Sequence, residues 1–382
     1  MISISKLYCG QSTSGDSLRY ARTAHRRPVV VWNCTRRCNL RCLHCYSASE
    51  NRFYPNELTN EQTKDMLKDL AEFEIPVLLF SGGEPLMRKD LFELASMAND
   101  YGIKCALSTN GTLITEAMAK KIKDTGFSYV GISLDGIGNT NDVFRGMDGA
   151  YAAALRGVRN CLAEGIKTGI RFTITKQTYR DLPGIFKLAE EEKVSRLCLY
   201  HLVYVGRSSG SVNNDISIQE TRILMDYVLE MSRKMHSCGN GTEILTVDNH
   251  ADGVYLYLRL LEEGSTGAGS ALNLMKLNGG NSSGLGIGCI DPNGFVHPDQ
   301  FWRNHSLGNV KEKRFSEIWK DESEPLLNTL RNRKSFLKGR CSECKFLDIC
   351  NGNLRARAEA VYGDAWAPDP ACYLTDEEIG VA

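Results

Sequence analysis

At 382 residues the chain is longer than one hydrophobic core usually organises, which sets the expectation at one large α/β barrel or two domains. Lys+Arg and Asp+Glu both number 46, so the basic excess of a nucleic-acid binder is missing, and 42% hydrophobic with 24% charged residues describes an ordinary soluble globular protein. No apolar run reaches the ~20 residues of a bilayer-spanning helix, and the opening MISISKLYCGQSTSGD lacks the order of a secretory signal, so a cytoplasmic protein with no membrane partner is expected.

From Pro28 to about Arg233 short apolar runs alternate with amphipathic stretches. Strands are predicted at Val29–Asn33, Val77–Phe80, Lys104–Ser108, Tyr129–Leu134, Thr168–Thr173 and Arg196–His201. Helices are predicted at Asn60–Phe73, Asp90–Tyr101, Glu116–Thr125, Ala150–Glu164, Leu182–Glu192 and Ile218–Lys234, several preceded by an Asn, Asp or Thr cap. Six successive βα units make a parallel sheet closed fully or partly into a barrel, with ligands at the carboxyl ends of its strands. After about His236 the character changes. Gly264–Gly288 reads as loop or lid, Asp291–Gly294 as a hairpin turn, Phe315–Trp319 as a helix, and a cysteine-rich tail follows. The expected division is an extension over 1–27, a barrel over 28–235 and a smaller domain over 236–382.

Fourteen cysteines in a reducing compartment point to metal more than to disulfides. The first strand runs into WNCTRRCNLRCLHCYS, which sets Cys38, Cys42 and Cys45 at x3 and x2 spacing. Three thiolates so close suit an iron–sulfur cubane with one iron left open to bind substrate. A zinc site completed by Cys34 or His44 is the competing reading; Cys34 otherwise reads as a small buried hydrophobe. The second strand ends in Ser81-Gly82-Gly83-Glu84-Pro85, where glycines let the backbone approach a ligand and Glu84 offers an acceptor for an ammonium. Ser108-Thr109-Asn110-Gly111 and Ser133-Leu134-Asp135-Gly136 end the third and fourth strands, and Arg145 lies in NDVFRG. Each of these alone reads equally as a polar loop tip. The tail carries Cys341, Cys344, Cys350 and Cys372, four thiols that suit a closed auxiliary cluster or a zinc ribbon.

The triplet followed by these stations in this order resembles the radical S-adenosylmethionine (SAM) superfamily. The resemblance implies a partial (β/α)6 barrel and a [4Fe–4S] cluster on Cys38, Cys42 and Cys45 that chelates SAM and cleaves it to a 5′-deoxyadenosyl radical. It further implies SAM contacts from Gly82, Gly83, Glu84, Ser108, Asn110, Ser133 and Asp135, with Arg145 pairing the methionine carboxylate. The tail resembles the SPASM extension, in a form that lacks two of its cysteines. Leu354 and Asp299 stand at those positions, which implies one auxiliary [4Fe–4S] cluster, on Cys341, Cys344, Cys350 and Cys372. Cys289 reads as a packed thiol beside the hairpin, and Cys9, Cys105, Cys161, Cys198 and Cys238 as structural.

MISISKLYCG, LTVDNHADGVYLYLRLLEE and the segment from CIDPNGFVHPDQFW through ICNGNLRARAEAVYGDAWAPDPACYLTDEEIG resemble the tetrapyrrole-modifying branch, which includes the heme d1 synthases and the siroheme-dependent route to heme. That resemblance implies removal of two acetate side chains from didecarboxysiroheme, with ferredoxin or flavodoxin as a low-potential electron donor. Arg303, Arg355 and Arg357 are candidate partners for its carboxylates, and His250, His297 and His305 candidate iron ligands or proton donors, although a structural role suits each histidine as well. Three other readings remain: propionate removal from the same tetrapyrrole, peptide maturation, and a non-catalytic iron–sulfur electron carrier. A peptide maturase is expected to carry a leader-binding domain, for which the 28 residues before the first strand are too short.

Overall fold

The computed structural model describes residues 1–11 and 27–381, so most of the extension expected over 1–27 lies outside the described residues. One mixed sheet of eleven strands organises the chain. Its strands are β1 (Ile2–Ser3), β2 (Val29–Thr35), β3 (Val77–Gly82), β4 (Lys104–Thr109), β5 (Tyr129–Ser133), β6 (Thr168–Ile174), β7 (Arg196–His201), β8 (Glu243–Val247), β9 (Ile287–Ile290), β10 (Phe295–His297) and β11 (Gly308–Asn309). The order across the sheet is β1-β8-β7-β6-β5-β4-β3-β2-β9-β10-β11. Strands β2 to β8 pair in parallel, and β9 adds in parallel to β2. The outer strands β1, β10 and β11 pair antiparallel.

All six predicted strands are present, and the sheet is open, with β1 at one edge and β11 at the other. The predicted parallel array is two strands short. Glu243–Val247 joins β7 in parallel, so the sheet runs past the expected boundary near residue 236, and β9 returns to the far side of β2. Gly264–Gly288 is only partly loop, because Ala268–Asn278 forms a helix. Ala271, Leu274 and Met275 recur there at helical spacing and are buried, and the flanking glycines mark the ends of the helix, not its absence. The hairpin turn and the helix from Phe315 lie where predicted.

Side-chain alternation decides which face holds what. Along β6, Ile170, Phe172 and Ile174 join the core beneath the helices, while Arg171 and Thr173 look into a cavity on the other face. Along β2, Val30, Trp32 and Cys34 face the core and Val31 faces the cavity. Phe80 meets Trp32 and Phe127 edge-on at 5.4 and 5.6 Å. Burying each such ring contributes roughly 1.5–3 kcal/mol. Helix Asn60–Glu72 opens on a Thr59/Gln62 capping box and helix Ile218–Ser237 on a Ser217/Glu220 box, each cap being worth about 1 kcal/mol.

Candidate functional site

The cavity opens at the carboxyl ends of the parallel strands, where the sequence places its motifs. Its wall includes Cys38, Cys42, Cys45, Gly82, Gly83, Ser108, Asn110, Ser133 and Arg145, and also His44, Arg171, Tyr200, His201, Asp248, Gln300 and Phe301.

The three cysteines lie on the loop that leaves β2. Arg207, in the turn Gly206–Ser208 that follows β7, holds this loop, its Nε donating to the Cys42 carbonyl and its Nη1 to that of Ser49, both at 2.7 Å. Arg41 and Leu43 donate backbone N–H groups to the carbonyls of Arg145 and Phe144, which stitches the loop to helix Asn139–Arg145. N–H donors then converge on the sulfurs: Leu40 N on Cys38 at 3.4 Å, Arg145 Nη1 on Cys42 at 3.6 Å and Ser49 N on Cys45 at 3.5 Å. Burial pushes the Cys38 thiol up to about 12. Burial also opposes ionisation of Cys45, but hydrogen bonds from Ser47 and Ser49 and the charge of Arg207 outweigh it and lower that thiol. Sulfurs gathered at a cavity wall under N–H donors suit metal-bound thiolates, since a coordinated metal removes the thiol proton outright. Of the two candidate fourth ligands for zinc, Cys34 lies in the core on the face of Trp32. His44 does reach the cavity wall, stacked on Phe144 at 4.5 Å with Nε2 facing Asp135 at 3.5 Å. Its burial lowers that imidazole to about 4 and keeps it neutral.

The supporting motifs divide between wall and scaffold. Gly83 is required because a Cβ there would sit 2.3 Å from the Arg37 carbonyl, and at Gly82 (φ 134°) one would sit 2.4 Å from that of Thr35. Both glycines admit the cysteine loop itself, a different close approach from the one expected of a ligand. Glu84 also departs from expectation. Its buried carboxylate accepts from Thr109 Oγ1 at 2.7 Å, Asn110 N at 2.8 Å and Leu86 N at 3.1 Å, tying the end of β3 to that of β4. The backbone of Gly82 and Gly83 is then the part of the motif that lies at the wall. Asp135 is likewise off the wall, fully buried, ion-paired with Arg145 and accepting from Thr173 N at 2.6 Å. It positions Arg145. Asn110 donates to Asn39 Oδ1 at 2.9 Å and lies 3.9 Å from the Cys38 sulfur.

In the tail, Cys341, Cys344, Cys350 and Cys372 come together. Burial raises the Cys350 thiol well above its ordinary value, and the other three cysteines add to the effect. Cys350 leads into Asn351, Gly352 and Asn353, three successive left-handed residues at φ 55°, 74° and 58°. Asn353 Oδ1 accepts from the backbone of His250 and its Nδ2 donates to Asn249 Oδ1, so this turn is fixed to the segment that carries Asp248 to the cavity. The two positions without cysteine have other work. Asp299 caps Phe301 and Trp302 through their N–H groups, and Leu354 packs near Trp302. Cys289 is fully buried, as expected, and accepts from Asn33 Nδ2 at 3.4 Å.

None of the residues proposed for substrate lines the cavity. Arg357 is fully buried and paired with Asp369 at 2.8 Å, with its other nitrogens on the carbonyls of Leu202 and Asp248. Arg355 donates to the carbonyls of Ala365, Ala367 and Gly352. Arg303 faces Asp291 at 3.6 Å, His297 Nδ1 meets the His305 carbonyl at 2.6 Å, and His305 Nε2 meets Glu359 at 2.8 Å. His250 is the N-cap of helix Ala251–Glu262. A guanidinium or imidazole in a loop can as well brace backbone as bind a ligand, and type alone does not separate the two. The wall residues that sequence reasoning missed are Arg171, His201, Tyr200, Asp248 and Gln300. Arg171 carried a usable signal, a charge at an inward position of an otherwise apolar central strand. His201 Nε2 lies 3.0 Å from Asp252, which also accepts from Tyr373 OH at 2.8 Å; burial opposes protonation of this imidazole but Asp252 raises it.

Residues 32–189 match the radical SAM superfamily, and residues 286–345 match the SPASM iron–sulfur cluster-binding domain. The chain is 57% identical to the Fe-coproporphyrin III synthase of Methanosarcina barkeri, over all of this chain and 99% of the relative. It is 46% identical to the pre-heme d1 synthase of Dinoroseobacter shibae, over 93% of this chain and 88% of the relative. The fold is shared with Streptococcus suis SuiB bound to S-adenosylmethionine (TM-score 0.72, 20% identity, 92% of this chain and 78% of that one). Native anSMEcpe with bound AdoMet and peptide is similar (TM-score 0.69, 21% identity, 91% of this chain and 94% of that one). SAM and iron–sulfur clusters, one in the barrel and one in the extension, are therefore its cofactors. With its open, mostly parallel sheet, its thiol-lined cavity and these relatives matched over most of their length, the chain belongs to the radical SAM superfamily, among the SPASM-bearing, tetrapyrrole-modifying enzymes.

Proposed function

We propose that this enzyme removes the two acetate side chains of didecarboxysiroheme to give Fe-coproporphyrin III. The observation that carries the reading is the 57% identity, end to end, with an Fe-coproporphyrin III synthase. On this reading residues 28–235 carry the SAM-cleaving site, with Cys38, Cys42 and Cys45 as cluster ligands, and residues 236–382 carry an auxiliary cluster on Cys341, Cys344, Cys350 and Cys372. Residues 1–27 are an extension, and a ferredoxin or flavodoxin supplies the electron. When bound, the cluster and SAM supply a carbon radical able to take a hydrogen atom from an unactivated position. Arg145, held by Asp135, and Ser133 fix the methionine end of SAM, and the Gly82–Gly83 backbone fits its amine. Val31, Leu79, Leu202, Val203 and Phe301 keep water from the reacting carbon.

The test is anaerobic reconstitution followed by reaction of didecarboxysiroheme with SAM and reductant. The expected product has lost two acetates by mass, with one 5′-deoxyadenosine released per side chain. Release of 5′-deoxyadenosine with the tetrapyrrole unchanged overturns the substrate assignment. Propionate loss would favour the second reading, which the 46% identity to a pre-heme d1 synthase supports.

A further inference from the structure

Only two arginine or lysine side chains reach the cavity wall among the described residues, Arg145 and Arg171. They differ in one respect. Arg145 is neutralised by Asp135, whereas Arg171 forms no ion pair among the described residues. Arg171 stands inward from the middle of β6, between Ser133 of β5 and Cys198 of β7 in register. Its Nη1 donates to Ser108 Oγ across the cavity floor, and its Nε is buried with no acceptor. The groups around it are the phenols of Tyr200, Tyr129 and Tyr46 and the thiol of Cys198. Space for the guanidinium comes from Gly131, where a Cβ would lie 2.3 Å from Arg171 Nε.

A guanidinium at a cavity floor, with its Nε buried and no counter-ion, is costly, and a chain that only needed to fold would gain by pairing or replacing it. The cost is offset when an anion arrives. Arg presents a planar fork that fits a carboxylate through two N–H groups, and Arg171 turns its guanidinium to the cavity beside the Ser108 hydroxyl. The methionine carboxylate of SAM is expected at Arg145, next to Cys42. We infer that Arg171, with Ser108, binds a carboxylate side chain of the substrate at the floor of the cavity and so fixes which edge of the macrocycle meets SAM. This rests on the proposed tetrapyrrole substrate and replaces Arg303, Arg355 and Arg357, all engaged elsewhere, as the source of its cationic partner.

The experiment compares wild type, Arg171→Met and Arg171→Lys as reconstituted proteins. It measures the affinity of didecarboxysiroheme and of its methyl ester by absorbance titration, and of SAM by equilibrium dialysis. Losing a charge-assisted bidentate contact is expected to weaken didecarboxysiroheme binding about 10- to 100-fold in the Met variant, with the Lys variant between. Esterification is expected to weaken binding to wild type and to have much less effect on the Met variant, because the two changes remove the same contact. Removing an unpaired charge should leave the Met variant at least as thermally stable as wild type; should it fail to fold, the same cycle is read with the Lys variant. Equal affinities in all three proteins overturn the inference while leaving the substrate reading intact. So does a loss of SAM affinity with tetrapyrrole affinity unchanged, which would assign Arg171 to the SAM carboxylate. If wild type itself does not bind the tetrapyrrole, the substrate reading falls and this inference with it.

Discussion

Asp248 shows what a single residue at the cavity wall does to the whole protein. It is non-glycine at φ 67°, its Oδ2 is buried without a hydrogen bond, and burial raises its carboxyl to about 7 against the opposing charge of Arg357. The unfolded chain ionises it near ~3.9, so between roughly pH 4 and 7 the folded state binds more protons than the unfolded one. Stability therefore falls as pH rises through that window and is constant in this respect above it. Asn tolerates the left-handed region as well as Asp does, so Asp248→Asn removes the charge and leaves the turn. The variant is expected to be more stable than wild type at pH 8 by on the order of 2 kcal/mol, the gain shrinking toward pH 5.5 in denaturant titrations. A constant difference across pH would show that Asp248 is not protonated in the fold. Sequence did not single out this residue, because nothing in the run LTVDNHADG separates an aspartate at a cavity from one in a surface turn.

At the scale of elements, the tail is fixed to the barrel by the buried pair Arg357–Asp369, whose side chains are 0% and 1% exposed. Asp369 also accepts from Leu354 N and Ala371 N, and Arg357 reaches the carbonyls that follow β7 and β8. Asp369→Ala leaves a buried guanidinium uncompensated and is expected to cost about 3–5 kcal/mol in chemical denaturation. Asp369→Asn, which keeps acceptors but not charge, should cost less. Equal stability of Asp369→Ala and wild type would mean that the brace is dispensable. The helical arginines 355 and 357 read from sequence as substrate contacts for the same reason that they serve here: a long side chain with a rigid donor fork satisfies carbonyls and carboxylates of either origin. By contrast, the βα alternation was legible, because its periods of two and about 3.6 are local properties of the chain.

For the whole molecule, the consequence is two clusters in one chain. Wild type should hold about eight irons after anaerobic reconstitution, and Cys372→Ala about four if the second set is a [4Fe–4S] site. Loss of one zinc with no change in iron would refute that assignment. The two sites are coupled structurally through the Cys350–Asn353 turn, which holds the Asn249–His250 segment next to Asp248. Cys372→Ala is thus also expected to lower tetrapyrrole turnover.

By itself the sequence determined the parallel βα units, the cysteine triplet at the end of the first of the parallel strands, the order of the stations around the cavity and the four-thiol tail. Each is set by spacing along one stretch of chain, and side-chain periodicity carries it directly. Only the tertiary structure decided that the sheet takes a seventh and an eighth parallel strand and stays open, and that Gly82 and Gly83 make room for the cysteine loop. It alone set Glu84 and Asp135 behind the wall and left Arg171, not Arg355 or Arg357, as the cation facing the cavity without a counter-ion. Those outcomes depend on which group stands opposite, as with Gly83 against Arg37 and Gly131 against Arg171, and such partners lie tens of residues away, where no local pattern registers them.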